Sequence, residues 1–297
     1  MAISQDMPEP RSLWVDLMGS TVRVVEGARY RTRVIEAGSG DALILIHGVG
    51  ASAEVFARNI KNLAQHFHVY AIDALYHGYS SLEPYDAEHR VERQAEAVLD
   101  FMDALGVRWA HIEGESMGAG MAFYLGLRYP ERCGRLILNS GSYYVNFKRS
   151  FPEMAEGDLL VPLSRESVTD LSRQTVRRRM EYLVASPDHL TDELVEVQYQ
   201  MYADAAIRES MKRVYGITAP RPRLMHYEEE VAATLGPPAL VIWTDRNRGA
   251  GPEMGEYLAS VIPGAQYHLI RCAAHWPQWE QPEEHDRAVL RFLKQAD

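Results

Sequence analysis

The stretch Trp109-Ala110-His111-Ile112-Glu113-Gly114-Glu115-Ser116-Met117-Gly118-Ala119-Gly120-Met121 decides the fold. Residues 109–113 read as a short buried strand and residues 117–129 as a helix. Between them stands the pattern G-x-S-x-G, with Gly114 and Gly118 flanking Ser116. The pattern alone is weak, because small residues are common. Set between a strand and a helix, it predicts a sharp turn that lifts the Ser116 hydroxyl above the sheet edge. Such a turn needs small neighbours, since its serine backbone is strained and adjoining segments pack close. The Met117 N–H, at the start of the helix, is then aimed at a developing negative charge. A serine N-cap on an ordinary helix is the plainer alternative.

On the N-terminal side, Ala42-Leu43-Ile44-Leu45-Ile46 is apolar without alternation, which suits a strand buried on both faces of a parallel sheet. It runs into His47-Gly48-Val49-Gly50, where the glycines permit a tight turn that makes the Val49 N–H a second donor for the same charge. Taken alone, this segment also fits a plain strand-to-helix turn. Residues 21–35 read as two antiparallel strands, 54–67 as a helix, 68–72 as a buried strand closed by Asp73, and 90–105 as an amphipathic helix. Beyond the serine, strands are predicted at 135–139, 239–243 and 267–270, and helices at 253–262 and 283–293.

This alternation predicts an α/β protein with a mostly parallel sheet flanked by helices and right-handed crossovers. It breaks over 145–235, a charged, strand-poor block with helical patterning at 164–186 and 191–214. That block reads as an inserted helical cap, or lid, over the site; decoration of the sheet edge is the alternative. The core then comprises 1–144 and 236–297.

Composition sets the outer bounds. The chain has 297 residues, 46% apolar and 24% charged, enough to bury a sizeable core without staples. Its 41 acidic against 31 basic residues give a net charge of -10, a poor match for nucleic acid or an anionic membrane surface. Residues 1–11 carry no apolar signal core, and a cytoplasmic location is expected. Cys133 and Cys272 read as small core residues. No dinucleotide fingerprint and no metal-ligand spacing are present, so no cofactor is expected. The expected partner is a small-molecule substrate, and a homodimer is possible.

His275, in Cys272-Ala273-Ala274-His275-Trp276-Pro277, follows the last predicted strand. Nucleophile, then acid, then base is the chain order of one hydrolase fold. His275 would take the proton of Ser116 and hand it to the leaving group. With these motifs, and with Asp73 and His77-Gly78-Tyr79-Ser80 in the same order, the sequence resembles the α/β-hydrolases over nearly its whole length. Within them it is similar to the meta-cleavage-product hydrolases, carbon–carbon bond hydrolases of aromatic catabolism. Thr191-Asp192-Glu193-Leu194-Val195 and His275-Trp276-Pro277-Gln278-Trp279-Glu280 carry that likeness.

The resemblance implies a serine hydrolase with Ser116 and His275 catalytic and the Val49 and Met117 amides as oxyanion hole. Gly48, Glu115, Gln198 and Trp276 are implied at the substrate. Three departures stand out. The family's acid position holds Asn247, with Asp245 two residues earlier on the same loop; Asp245 is slightly preferred as the partner of His275. Gln198 stands where relatives carry a cap arginine. Its replacement could come from Arg173, Arg177, Arg178 or Arg179, a cluster that also reads as a solvated helix face. Glu115 precedes the serine where these hydrolases usually have asparagine. It either enters the site, as a proton donor or substrate contact, or points away to a basic partner. Tyr143, Tyr144, Phe147, Phe151, Tyr199, Met201 and Tyr202 are candidates for an apolar pocket or plain packing. Carbon–carbon cleavage competes with ester, lactone or amide hydrolysis. The reading from another class is a small-molecule-binding protein with a degenerate triad.

Overall fold

The computed structural model describes residues 12–141, 144–149, 151, 159–220, 226–248 and 250–295. Tyr143 and residues 1–11 lie outside these. A four-residue helix α1 (Leu13–Asp16) precedes the antiparallel pair β1 (Thr21–Glu26) and β2 (Arg31–Gly38). Then come β3 (Ala42–Ile46), α2 (Ala57–Leu63), β4 (His68–Ile72), α3 (Arg90–Ala104), β5 (Ala110–Glu115), α4 (Met117–Arg128) and β6 (Cys133–Asn139). A two-residue strand β7 (Val145–Asn146) leads to helices α5 (Leu160–Thr169), α6 (Arg173–Leu183), α7 (Asp192–Ala203) and α8 (Ala205–Val214). The chain closes with β8 (Tyr227–Glu228), α9 (Glu229–Ala232), β9 (Ala239–Thr244), α10 (Pro252–Val261), β10 (Gln266–Ile270), α11 (Pro277–Glu280) and α12 (Pro282–Leu293).

The main sheet has eight strands in the order β1-β2-β4-β3-β5-β6-β9-β10. β1 and β2 are antiparallel, as is β2 against β4; from β4 onward every pairing is parallel. β3 is buried along its whole length, as its unbroken apolar run predicts. β5 is equally buried although it carries His111, Glu113 and Glu115, and it runs two residues past the strand expected at 109–113. One apolar layer lies on each face of the sheet. Val176, Met180 and Leu194 of the helical block join the same layer as Leu43, Phe56 and Trp276, so the block is packed onto the core.

The helical patterning at 164–186 and 191–214 resolves into four helices rather than two. Capping side chains make the breaks. Ser172 caps α6 in a reciprocal pair with Thr175. Asp204, in extended conformation, accepts from the Ala206 and Ile207 amides and starts α8 immediately after α7. Cys133 is buried as expected, whereas Cys272 is exposed. Cys272 sits at φ +58° in the turn after β10, outside the apolar layers. Among the described residues no helix is long and apolar enough to cross a membrane.

Candidate active site

Four loops at the carboxyl ends of β3, β5, β9 and β10 build the site, where open α/β sheets place their ligands. Ser116 joins β5 to α4 at φ +54° and ψ -112°, a conformation that costs about 1–3 kcal/mol for a non-glycine residue. Its amide donates to the Asn139 carbonyl at 2.8 Å. A Cβ on Gly114 would lie 2.0 Å from the Gly118 carbonyl carbon, and one on Gly118 would lie 2.2 Å from the Ile46 carbonyl oxygen. Both glycines are therefore sterically required by the turn. Met117 is the first residue of α4, where amides have no partner within the helix.

The His275 ring bridges two groups. Nδ1 lies 3.0 Å from Asn247 Oδ1, and Nε2 lies 3.3 Å from Glu115 Oε1. The expected preference for Asp245 is corrected. β9 runs on through Thr244, so Asp245 is the first residue past the strand, and the loop needs two more residues to reach the imidazole. Asp245 Oδ1 is buried without a hydrogen-bond partner among the described residues. With Nδ1–H donating to Asn247, Nε2 carries the lone pair. Burial, reinforced by the charge of Arg179, lowers the His275 pKa to about 4, so the ring is neutral at ordinary pH.

Glu115 turns into the site. Its carboxyl is fully buried, and Oε2 accepts the Gly48 N–H at 2.6 Å. Burial pushes its pKa up to about 8 against the opposing effects of the Gly48 bond and Arg179. At neutral pH it is therefore a carboxylic acid, and its Oε1 lies 3.3 Å from His275 Nε2 without a hydrogen bond between them. Gly48 is glycine for this reason: a Cβ there would lie 2.4 Å from Glu115 Oε2 and 2.9 Å from Ser116 Cβ.

The loop after β3 is held from both sides. His47 Nδ1 bonds the Gly48 carbonyl at 2.7 Å, and Nε2 accepts the Ala74 amide at 3.0 Å, which fixes the neutral tautomer. From the helical block, Tyr202 Oη donates to the Gly50 carbonyl at 2.9 Å and receives the Tyr215 hydroxyl at 2.8 Å. Arg179 Nη2 donates to the Val49 carbonyl at 2.7 Å.

The arginine cluster divides. Arg173, Arg177 and Arg178 pair on the surface with Glu196, Asp192 and Glu166. Arg179 departs from the solvated-face reading: it is 1% exposed and points into the site. Its Nε donates to Ser164 Oγ at 3.0 Å, and Nη1 is buried without a hydrogen-bond partner among the described residues. Position on α6 decides this, because Arg179 shares the face of Thr175, Val176, Met180 and Leu183 that packs on the core. Gln198 is buried on α7 and Trp276 is buried beside His275. Of the other aromatic candidates, Phe147 and Phe151 pack on each other and on Tyr257, Tyr144 packs on Phe123, and Tyr199 lies under the Arg173 guanidinium.

Sequence reasoning missed Glu280 and Tyr215. Glu280 Oε1 accepts the Ala274 amide at 2.7 Å, and Oε2 accepts the Ala185 amide at 2.7 Å and faces His189 Nδ1 at 2.6 Å. Trp279 Nε1 adds a bond to the His189 carbonyl at 2.8 Å. The His275 loop is thereby tied to the α6–α7 connection, and the His275 amide itself donates to the Leu183 carbonyl at 2.9 Å.

The chain has counterparts among known proteins. The chain is 32% identical over 283 residues to the 2-hydroxymuconate semialdehyde hydrolase of Pseudomonas putida, covering 93% of this chain and 95% of that protein. It is 30% identical over 285 residues to a 2-hydroxy-6-oxononadienedioate/2-hydroxy-6-oxononatrienedioate hydrolase of Paraburkholderia xenovorans, covering 92% and 94%. A solved meta-cleavage product hydrolase from Pseudomonas fluorescens superimposes with a TM-score of 0.76 at 25% identity, over 93% of this chain and 98% of that one. The α/β-hydrolase fold model matches residues 41–282. A match of that length, on a sheet that delivers a strained serine and a histidine to one edge, makes this chain a member of the α/β-hydrolase fold family.

Proposed function

We propose that this hydrolase cleaves the carbon–carbon bond of a small anionic vinylogous diketone of the meta-cleavage type, with residues 145–235 as the cap over the site. The observation that carries the reading is Arg179, a buried guanidinium on the cap whose Nη1 has no hydrogen-bond partner among the described residues. A desolvated cation with an unused donor fits a carboxylate or dienolate. It supplies the charge that Gln198 lacks, and a neutral ester would leave it uncompensated. Ser116 Oγ attacks the carbonyl carbon, and the oxyanion forms against the Val49 and Met117 amides. In this reading the neutral His275, held by Asn247, takes the Ser116 proton, and the buried Trp276 beside it lines the pocket.

The test is turnover of a 2-hydroxy-6-oxo-hexadienoate, followed by loss of the dienone chromophore, against p-nitrophenyl esters and a lactone. The expected result is preference for the dienone and loss of turnover in Ser116→Ala. Faster ester than dienone turnover would overturn the substrate class. Failure of a serine-directed phosphonate to label Ser116 would overturn the nucleophile.

A further inference from the structure

Two departures from the family pattern meet at one imidazole. Asn247, where a carboxylate is expected, bonds Nδ1 at 3.0 Å, and Glu115, where an asparagine is usual, contacts Nε2 at 3.3 Å. An asparagine orients a histidine but cannot balance an imidazolium, a deficiency that can cost a serine hydrolase roughly 10⁴ in turnover. The carboxyl missing at one end of the ring is present at the other.

We infer that Glu115 is the proton acceptor of the reaction, sharing one proton with His275 across the Nε2–Oε1 contact. The inference rests on the serine-hydrolase reading above. The imidazole then never carries a net charge, and an uncharged Asn247 is sufficient to hold it.

The groups facing this pair are few. Gly48 N–H meets Glu115 Oε2 from the loop after β3, Arg179 acts on both side chains from α6, and Glu113 lies two residues back on β5. In the reactive state Glu115 is a carboxylate and His275 is neutral. As Ser116 Oγ bonds the carbonyl carbon, its O–H bond breaks and the proton passes to the pair, ending on Glu115 Oε1. The negative charge moves from the carboxylate to the substrate oxygen, so the charge of the site is unchanged. When the oxyanion collapses, the bond to the leaving group breaks with its electron pair on that group, and Glu115 returns the proton to it. Water then attacks the acyl ester and gives one proton to the same pair; as the acyl C–Oγ bond breaks with its electron pair on Ser116 Oγ, Glu115 returns that proton to Oγ and the product acid leaves.

The acceptor must be ionised, and burial holds it protonated at neutral pH. Turnover therefore climbs with pH toward the Glu115 pKa of about 8, whereas a histidine base buried neutral would be competent from far lower pH. Glu115→Gln is the sharp variant, because its amide accepts the Gly48 N–H as the protonated acid does.

The experiment measures kcat and kcat/KM from pH 5 to 10 for wild type, Glu115→Gln, Glu115→Asn and the double variant Glu115→Asn, Asn247→Asp. We expect an ascending wild-type limb near pH 8, a loss of roughly 10²–10³ in kcat in Glu115→Gln without that limb, and at least tenfold recovery in the double variant over Glu115→Asn, with its limb at acid pH. Glu115→Gln within threefold of wild type, or a wild-type limb below pH 6, would overturn the inference. Phosphonate labelling of Ser116 by wild type is scored separately, since only its absence would sink the hydrolase reading itself.

Discussion

Arg179 reaches from α6 to donate to the Val49 carbonyl at 2.7 Å. That bond ties a buried cation of the helical block to the loop after β3. Arg179→Gln is expected to raise KM for an anionic dienone by about 10–100-fold, the worth of one charge-assisted hydrogen bond. Neutral esters should be nearly unaffected in KM. Arg179→Lys should recover little, because a point charge cannot hold Val49 and a carboxylate together. Steady-state kinetics on both substrate classes checks this.

The two candidate partners of His275 separate cleanly by substitution. Asp245→Asn is expected to keep kcat within about threefold, since its carboxylate makes no bond to the ring. Asn247→Ala frees Nδ1 at 3.0 Å and should lower kcat by roughly 10²-fold. Equal losses in both would place the orienting group elsewhere.

Glu280 joins Ala274, Ala185 and His189 through one buried carboxylate. Glu280→Ala leaves the Ala274 and Ala185 amides without their acceptor and is expected to cost about 2–4 kcal/mol of stability. Because Ala274 adjoins His275, kcat should fall together with stability. Urea denaturation and kcat at a temperature where the variant is folded test the two effects separately.

His285 gives stability a pH signature. It lies 2.7 Å from Glu113 and 3.1 Å from Asp286 in the interior. Burial opposes its charge, but the two carboxylates outweigh burial and push its pKa up to about 10. A raised pKa contributes stability that is full below the unfolded value of about 6.5 and is lost as pH rises through 10. Wild type should weaken steadily over that window. His285→Gln should be about 3–5 kcal/mol less stable at pH 6.5, because it removes the cation from buried Glu113 and leaves it the neutral Asn139 amide. The slope it retains up to pH 8 includes that of Glu115, and above pH 9 the buried Cys133 thiol, pushed up to about 12, adds another. Denaturation midpoints at pH 6.5, 8 and 10 decide between these.

The sheet and the strand-to-helix turn were legible because their signals are local. An unbroken apolar run such as 42–46 suits a strand buried on both faces, and Gly114 and Gly118 mark where backbones come too close for any side chain. The chain order of Ser116 and His275 is local information too. What the sequence left open was every pairing that depends on the path of a loop or the rotation of a helix. Asp245 and Asn247 differ by two residues, and only the direction of the chain after Thr244 puts Asn247 at the imidazole. Arg178 and Arg179 are neighbours in sequence, yet the turn of α6 sends one to surface Glu166 and the other to the Val49 carbonyl after β3. Glu115 could have pointed away or inward; the Gly48 amide and the low-polarity interior made it a buried acid facing His275. Composition and periodicity determine which segments are buried, because burial follows from hydrophobicity along the chain. Which polar groups meet inside is decided by tertiary structure, because the partners of Glu115, Gly48 and His275, lie 67 and 160 residues away along the chain.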